Sequence, residues 1–276
     1  MLLDIEIEPQ VTVVWPDEAT KALWEPRLQA ISRAHHRAEI EMVARGHRRA
    51  TTVNLKPQSF EHDLEWFAGL GLVFLPIKRT KQYSGFAHKH VYTTGEDPDS
   101  MVYGCVAQSL EDAKAFKEAS LGCINHGDIG ELLGYPKCCR DFFERVWVRE
   151  RWIDTIYHQA ANTPGHEYAE DDSGRRIVKV SGHPFCQQAL RYLGVRITSH
   201  LPCSFTCEKT VRWGQTWFDV LAEVDPDAAG WAMEVLSMPT TWDALKGIVV
   251  CDTPIFRGVA NSVPCYPAHV VHYRPV

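Results

Sequence analysis

Apolar and polar positions alternate along IEIEPQVTVVW, residues 5–15, and the alternation predicts a strand. From Asp17 to about Ala44 the spacing becomes helical through Leu23, Leu28, Ile31, Ile40 and Val43. Gly46 supplies a stop, and Pro26 is placed to open the longer part of this helix. A short strand near Thr51–Leu55 follows, then a helix near Ser59–Ala68 with Ser59 at its start and Asp63 and Glu65 in its early turns. Gly69 and Gly71 close that helix before the apolar run LVFLPI, residues 72–77, so the succession has a βαβ rhythm.

HVYTT (90–94) and MVYGCVA (101–107) read as the two strands of a hairpin around the turn signal GEDPDS. SLEDAKAFKEA (109–119) forms a helix with Ser109 as N-cap, and Glu111 and Asp112 favour the positive end of its dipole. In HGDIGELLGYPKCCRDFF (126–143), Asp128 and Glu131 have the capping spacing. They predict a short helix over Ile129–Leu133 that stops at Gly134. Pro136 then opens a second helix, with Cys138 and Cys139 in its first turn and Phe142, Phe143, Val146 and Trp147 as its apolar face. TPGHEYAEDDSGRR (163–176) is polar and reads as a loop before the strand RIVKV.

The proline device recurs twice. Pro184 in SGHPFCQQALRYLG puts Cys186 in a first turn, with His183 just before it. Pro202 in SHLPCSFTCEKTVRWGQTW does the same for Cys203, and Cys207 four residues later shares its helix face. The predicted fold class is α/β of a mixed α+β kind. A small N-terminal mixed-sheet module over 1–120 precedes a helix-rich cysteine-motif region with C-terminal strands over 121–276, as two domains or one continuous one.

Composition narrows the setting. The 276 residues are 45% hydrophobic and 23% charged, which is ordinary for a globular chain. The formal charge is −6, and Arg45, His47, Arg48 and Arg49 make one short basic patch, so charge does not indicate nucleic acid. Asp4, Glu6 and Glu8 stand where a signal peptide needs basic and then apolar residues, and no apolar run approaches the roughly 18–20 residues of a membrane span. The chain reads as cytoplasmic, without a membrane partner. Nine cysteines, an odd count, then point to metal binding, thiol chemistry or burial rather than to disulfides.

Cys138, Cys139, Cys203 and Cys207 are the principal ligand candidates, with His200 and Cys186 as additional ones. Adjacent cysteines rarely both ligate one ion through regular helix geometry. Three ligands with an open position are therefore expected, one of Cys138 and Cys139 ligating and the other backing it or reacting. An iron–sulfur cluster or other redox metal at such a site would act on a small-molecule substrate, amino-acid-derived or sulfur-containing. Cys139, His200, Tyr135 and His126 are the candidate catalytic groups of that reading. Two alternatives stand beside it. One is a zinc-stapled binding or scaffold protein for RNA or a protein partner, and the other a metal-free thiol catalyst using Cys138 or Cys139.

Asp141 and Glu208 are explained by the helix dipole, Trp213 and Trp217 by helical core spacing, and Cys105 and Cys251 by burial in apolar strands. His269 and His272 in an extended tail point to opposite faces. LGYPKCCRDFF and SHLPCSFTCE resemble the two hallmark segments, GYP-x-CC and H-x-PCSF-x-C, of the prokaryotic family called domain of unknown function 483. The resemblance covers about residues 100–225. It implies that Gly134, Tyr135, Pro136, Cys138, Cys139, His200, Pro202, Cys203 and Cys207 stand at motif positions, and it carries no reaction with it.

Overall fold

Helical spacing and alternation become eight helices and eleven strands among the described residues of the computed structural model, namely 11–81, 91–92, 100–121, 124–150, 154–245, 248–260 and 269–276. Mixed sheets and helices make an α/β fold of the mixed kind. The described residues fall into two units, one drawn from Met1–Ala34 and Arg145–Val276, the other from His35–Gln82 and Lys89–Glu144. No helix among them is long and apolar enough to cross a membrane.

The second unit is built on a four-stranded antiparallel sheet of order β2-β5-β3-β4, with β2 at Ala50–Leu55, β3 at Val73–Lys81, β4 at Val91–Tyr92 and β5 at Ser100–Ala107. The expected hairpin of β4 with β5 does not form, because both strands pair with β3 and lie on opposite sides of it. The apolar Val73–Ile77 run gives β5 a longer ladder than the two residues of β4 can. Helix α2 (Phe60–Gly69) links β2 to β3, which flank β5, so the βαβ rhythm is real but its two strands are separated by a third.

Alternation along β5 divides the core. Val106 packs with Ile40, Val53 and Phe67, whereas Cys105 and Ala107 pack with Phe116 and Ala113 of α3 (Leu110–Ser120) and with Leu132. Ser109 caps α3, its hydroxyl accepting from the Asp112 amide at 3.1 Å, as the sequence indicates.

In the first unit, β1 (Val11–Val14), β6 (Glu167–Glu170), β7 (Arg176–Gly182), β8 (Thr240–Leu245), β9 (Ile248–Asp252), β10 (Arg257–Ala260) and β11 (His269–Pro275) form one sheet of order β1-β10-β9-β8-β11-β7-β6. Among these described strands only β11 and β7 run parallel. The stretch read as a polar loop is the β6–β7 hairpin, turned by Asp171, whose carboxylate accepts from the Ser173 and Arg175 amides at 2.9 Å each.

Pro26 lies inside α1 (Glu18–Ala44) instead of opening it. An interior proline costs about 3 kcal/mol, and burial of Trp24, Leu28 and Ile31 on one face, at roughly 1.5–3 kcal/mol each, outweighs it.

Gly182, at the end of β7, lies directly against the chain between Cys203 and Cys207. A Cβ there would lie 2.4 Å from Phe205 Cβ and 2.6 Å from its carbonyl oxygen. Gly182→Ala is therefore expected to destabilise the protein by about 1–3 kcal/mol in urea unfolding, through forced displacement of the Cys203–Cys207 segment.

Candidate metal centre

Local sequence builds each half of the centre. Helix α4 (His126–Leu132) begins three residues before the expected start, because Asn125 rather than Asp128 is its cap, the Asn125 Oδ1 accepting from the Asp128 amide at 3.1 Å. Gly134, at φ +74°, then reverses the chain in the left-handed region. Pro136 is the N-cap residue of α5 (Lys137–Phe143), one position earlier than expected, and Cys138 and Cys139 fall in the first turn. Cys139 and Phe142 are buried on one face. Arg140 ties α5 back to α4 by donating to the Gly127 carbonyl at 3.0 Å and to Glu131 at 2.9 Å. The Cys138 and Cys139 sulfurs stand 3.8 Å apart.

The other half departs from expectation. Pro202 opens no helix; Cys203 lies in a bend just ahead of a turn at Phe205 and Thr206, and α7 (Glu208–Val224) begins only after Cys207, which is its N-cap residue. The side chain of Asn162, just after α6 (Thr155–Ala161), donates to the Cys203 carbonyl at 2.7 Å. Thr210, Gly214, Trp217 and Leu221 form the buried face of α7, and Gly214 leaves room for Phe185. Pro184 opens only a single turn of 3-10 helix, Pro184–Cys186, capped by His183.

The Sγ atoms of Cys138, Cys139, Cys203 and Cys207 all lie within 4.8 Å of one another, a group at metal-binding distance. No family model, curated protein or solved structure matches the chain. The resemblance to the domain of unknown function 483 thus rests on the two motifs alone, and these motifs carry the four sulfurs.

The other sequence candidates have different surroundings. His200 is buried, its Nε2 2.9 Å from the Thr210 hydroxyl and its ring against Trp213, and it lies outside the group of four sulfurs. Cys186 is also outside the group; its thiol donates to the Cys207 carbonyl at 3.9 Å. The four thiols in mutual reach include both Cys138 and Cys139. Cys138 and Cys139 belong to the group together because the first turn of α5 converges their sulfurs.

His126 sits in the first turn of α4 with its ring 5.4 Å from that of Phe143, and burial holds its pKa below the ordinary histidine value. Tyr135 packs against the cluster containing Phe116 and Leu132. His183 caps its own turn, Nδ1 accepting from the Phe185 amide at 3.2 Å. Asp141 and Glu208 pair with Lys137 and Arg212 one turn away and are solvated; Glu208 lies in the first turn of α7 as the dipole reading requires, whereas Asp141 lies beyond the first turn of α5 and is placed by its Lys137 pair instead. Cys123 and Cys265 lie outside the described residues.

All seven described cysteines are thiols rather than disulfides. Burial pushes the Cys105 thiol up to about 12 and raises those of Cys186 and Cys251 further. Only the thiolate reacts, so iodoacetamide at neutral pH is expected to leave Cys105, Cys186 and Cys251 unlabelled in the folded protein and to label all three in denaturant, as read by peptide mass mapping.

One group escapes sequence reading altogether. Asp154, the N-cap of α6, is buried, and its carboxylate accepts from the Ile156 and Tyr157 amides, from Trp242 Nε1 at 2.7 Å and from His269 Nε2 at 2.8 Å. An aspartate before TIYHQAA signals a cap. Nothing local signals partners 88 and 115 residues away.

Proposed function

We propose that the four cysteines hold one zinc ion as a closed tetrathiolate, and that the protein works as a zinc-stapled binding protein. The observation that carries this is the mutual approach of the four sulfurs to within 4.8 Å. Four thiolates at ~2.3 Å from one ion stand about 3.8 Å apart along the edges of a tetrahedron, so a small closure of the present group fits a single ion. A four-iron cluster holds each thiolate on a different iron and needs a wider frame, which places the iron–sulfur reading second.

A zinc ion with four protein sulfurs has no open position for a substrate, and it supplies stability rather than reaction chemistry. Function then lies on the surface the folded chain presents. A formal charge of −6 suits a protein partner better than RNA. A single iron ion would take the same four sulfurs, and elemental analysis of the protein as purified separates the two.

Cobalt(II) added to reduced, metal-stripped and refolded protein is expected to give strong thiolate-to-metal absorption at one equivalent, bleached by one equivalent of zinc. Absence of that absorption, with four reactive thiols remaining at those positions, contradicts the proposal.

A further inference from the structure

Metal affinity depends on groups behind the ligands. Cys203 stands ahead of a non-helical turn, and Cys207 ends it as the N-cap residue of α7. Phe205, midway between them, is fixed at every available point. Its carbonyl accepts from the His183 amide at 2.9 Å. Its ring is fully buried, 5.1 Å from that of Tyr273, with Gly182 packed directly on its backbone. Its amide donates to the Thr163 hydroxyl at 2.9 Å.

Thr163 is 1% exposed, and its hydroxyl proton is committed to the Gln159 carbonyl at 2.8 Å, which turns a lone pair to Phe205. Of the contacts holding the backbone, this is the one made by a side chain whose hydroxyl can be removed at constant shape.

We infer that Thr163 is a positioning residue of the Cys203–Cys207 segment, helping to set where its two sulfurs stand alongside the Asn162 bond to the Cys203 carbonyl. A hydroxyl fixed by α6 orders the Phe205 amide, and the amide fixes the turn whose ends carry the thiols. The consequence for zinc rests on the tetrathiolate reading; the consequence for the turn does not.

Thr163→Val keeps the shape and removes the acceptor. In the full chain as purified, hydrogen exchange at the Phe205 amide is expected to speed by about 2–10-fold, the equivalent of one hydrogen bond's net worth. Zinc affinity, by competition with a chromophoric chelator, is expected to fall by about 10–100-fold, the usual effect of a lost outer partner.

Thr163→Ser restores the hydroxyl and is expected to return both readouts to wild type, which a purely volumetric role for Thr163 would not allow. Thr163→Ala gives the same readouts should the valine variant not fold. Unchanged exchange and affinity in the valine or alanine variant, even with a lower thermal midpoint, overturn the inference. A wild-type chain that takes up no zinc sinks the tetrathiolate reading instead, and the exchange rate still decides the role of Thr163.

Discussion

Cys203→Ser is expected to abolish stoichiometric zinc binding and to cost more stability than a substitution outside the sulfur group. A serine hydroxyl matches the thiol in shape but does not ionise near neutral pH, so the tetrahedron loses a ligand. Apparent binding energies of structural zinc run to about 10–16 kcal/mol, which rivals the ~5–15 kcal/mol total stability of an ordinary domain. Loss of affinity should exceed the ~10–100-fold typical of an outer-partner mutation.

Chelation of the wild type should mimic the variant, lowering its thermal midpoint, with zinc restoring it. Cys251→Ser is the control. Cys251 is buried in β9 and outside the sulfur group, so its replacement should cost stability while leaving one zinc per chain.

The second large effect belongs to Asp154. Asp154→Asn keeps one acceptor oxygen for the two amides and turns an NH2 group towards two N–H donors, those of Trp242 and His269. Leaving buried donors unsatisfied costs roughly 1–3 kcal/mol each, so a loss of about 3 kcal/mol is expected in urea unfolding at pH 7.

The pH dependence follows from the same carboxylate. Burial alone would raise its pKa, but the hydrogen bond and charge of His269, with the bonds from Trp242 and the Tyr157 amide, outweigh that and leave it lowered. A depressed folded pKa means that the Asp154 contribution is fully present above the unfolded value near 3.9 and is lost as pH falls through the folded value. Wild-type stability should therefore fall on acidification below about pH 4, and the variant should lack that component of the fall.

How far these features could be read from the chain depends on the range of the interaction behind each. The caps at Ser109 and Gly134 and the placing of Cys138 and Cys139 in a first turn depend on neighbours within a few residues, and the pattern displays them. Pro202 fails as a helix opener because the Phe205 amide and carbonyl are taken by Thr163 and His183, 42 and 22 residues away, and a turn that uses those groups cannot also wind. The β4–β5 hairpin fails for a similar reason, since β3 offers both strands a partner.

The sulfur group shows both sides. Both motifs display their cysteines, yet the approach of all four sulfurs to within 4.8 Å depends on side-chain directions set by the folded backbone.

Zinc held by four thiolates is the central claim, and elemental analysis combined with metal-edge X-ray absorption tests it most directly. Protein produced in medium replete in both iron and zinc is expected to carry one zinc per chain, with four sulfur neighbours at about 2.3 Å. Iron accompanied by inorganic sulfide, or a metal-free chain that refuses zinc, would contradict it.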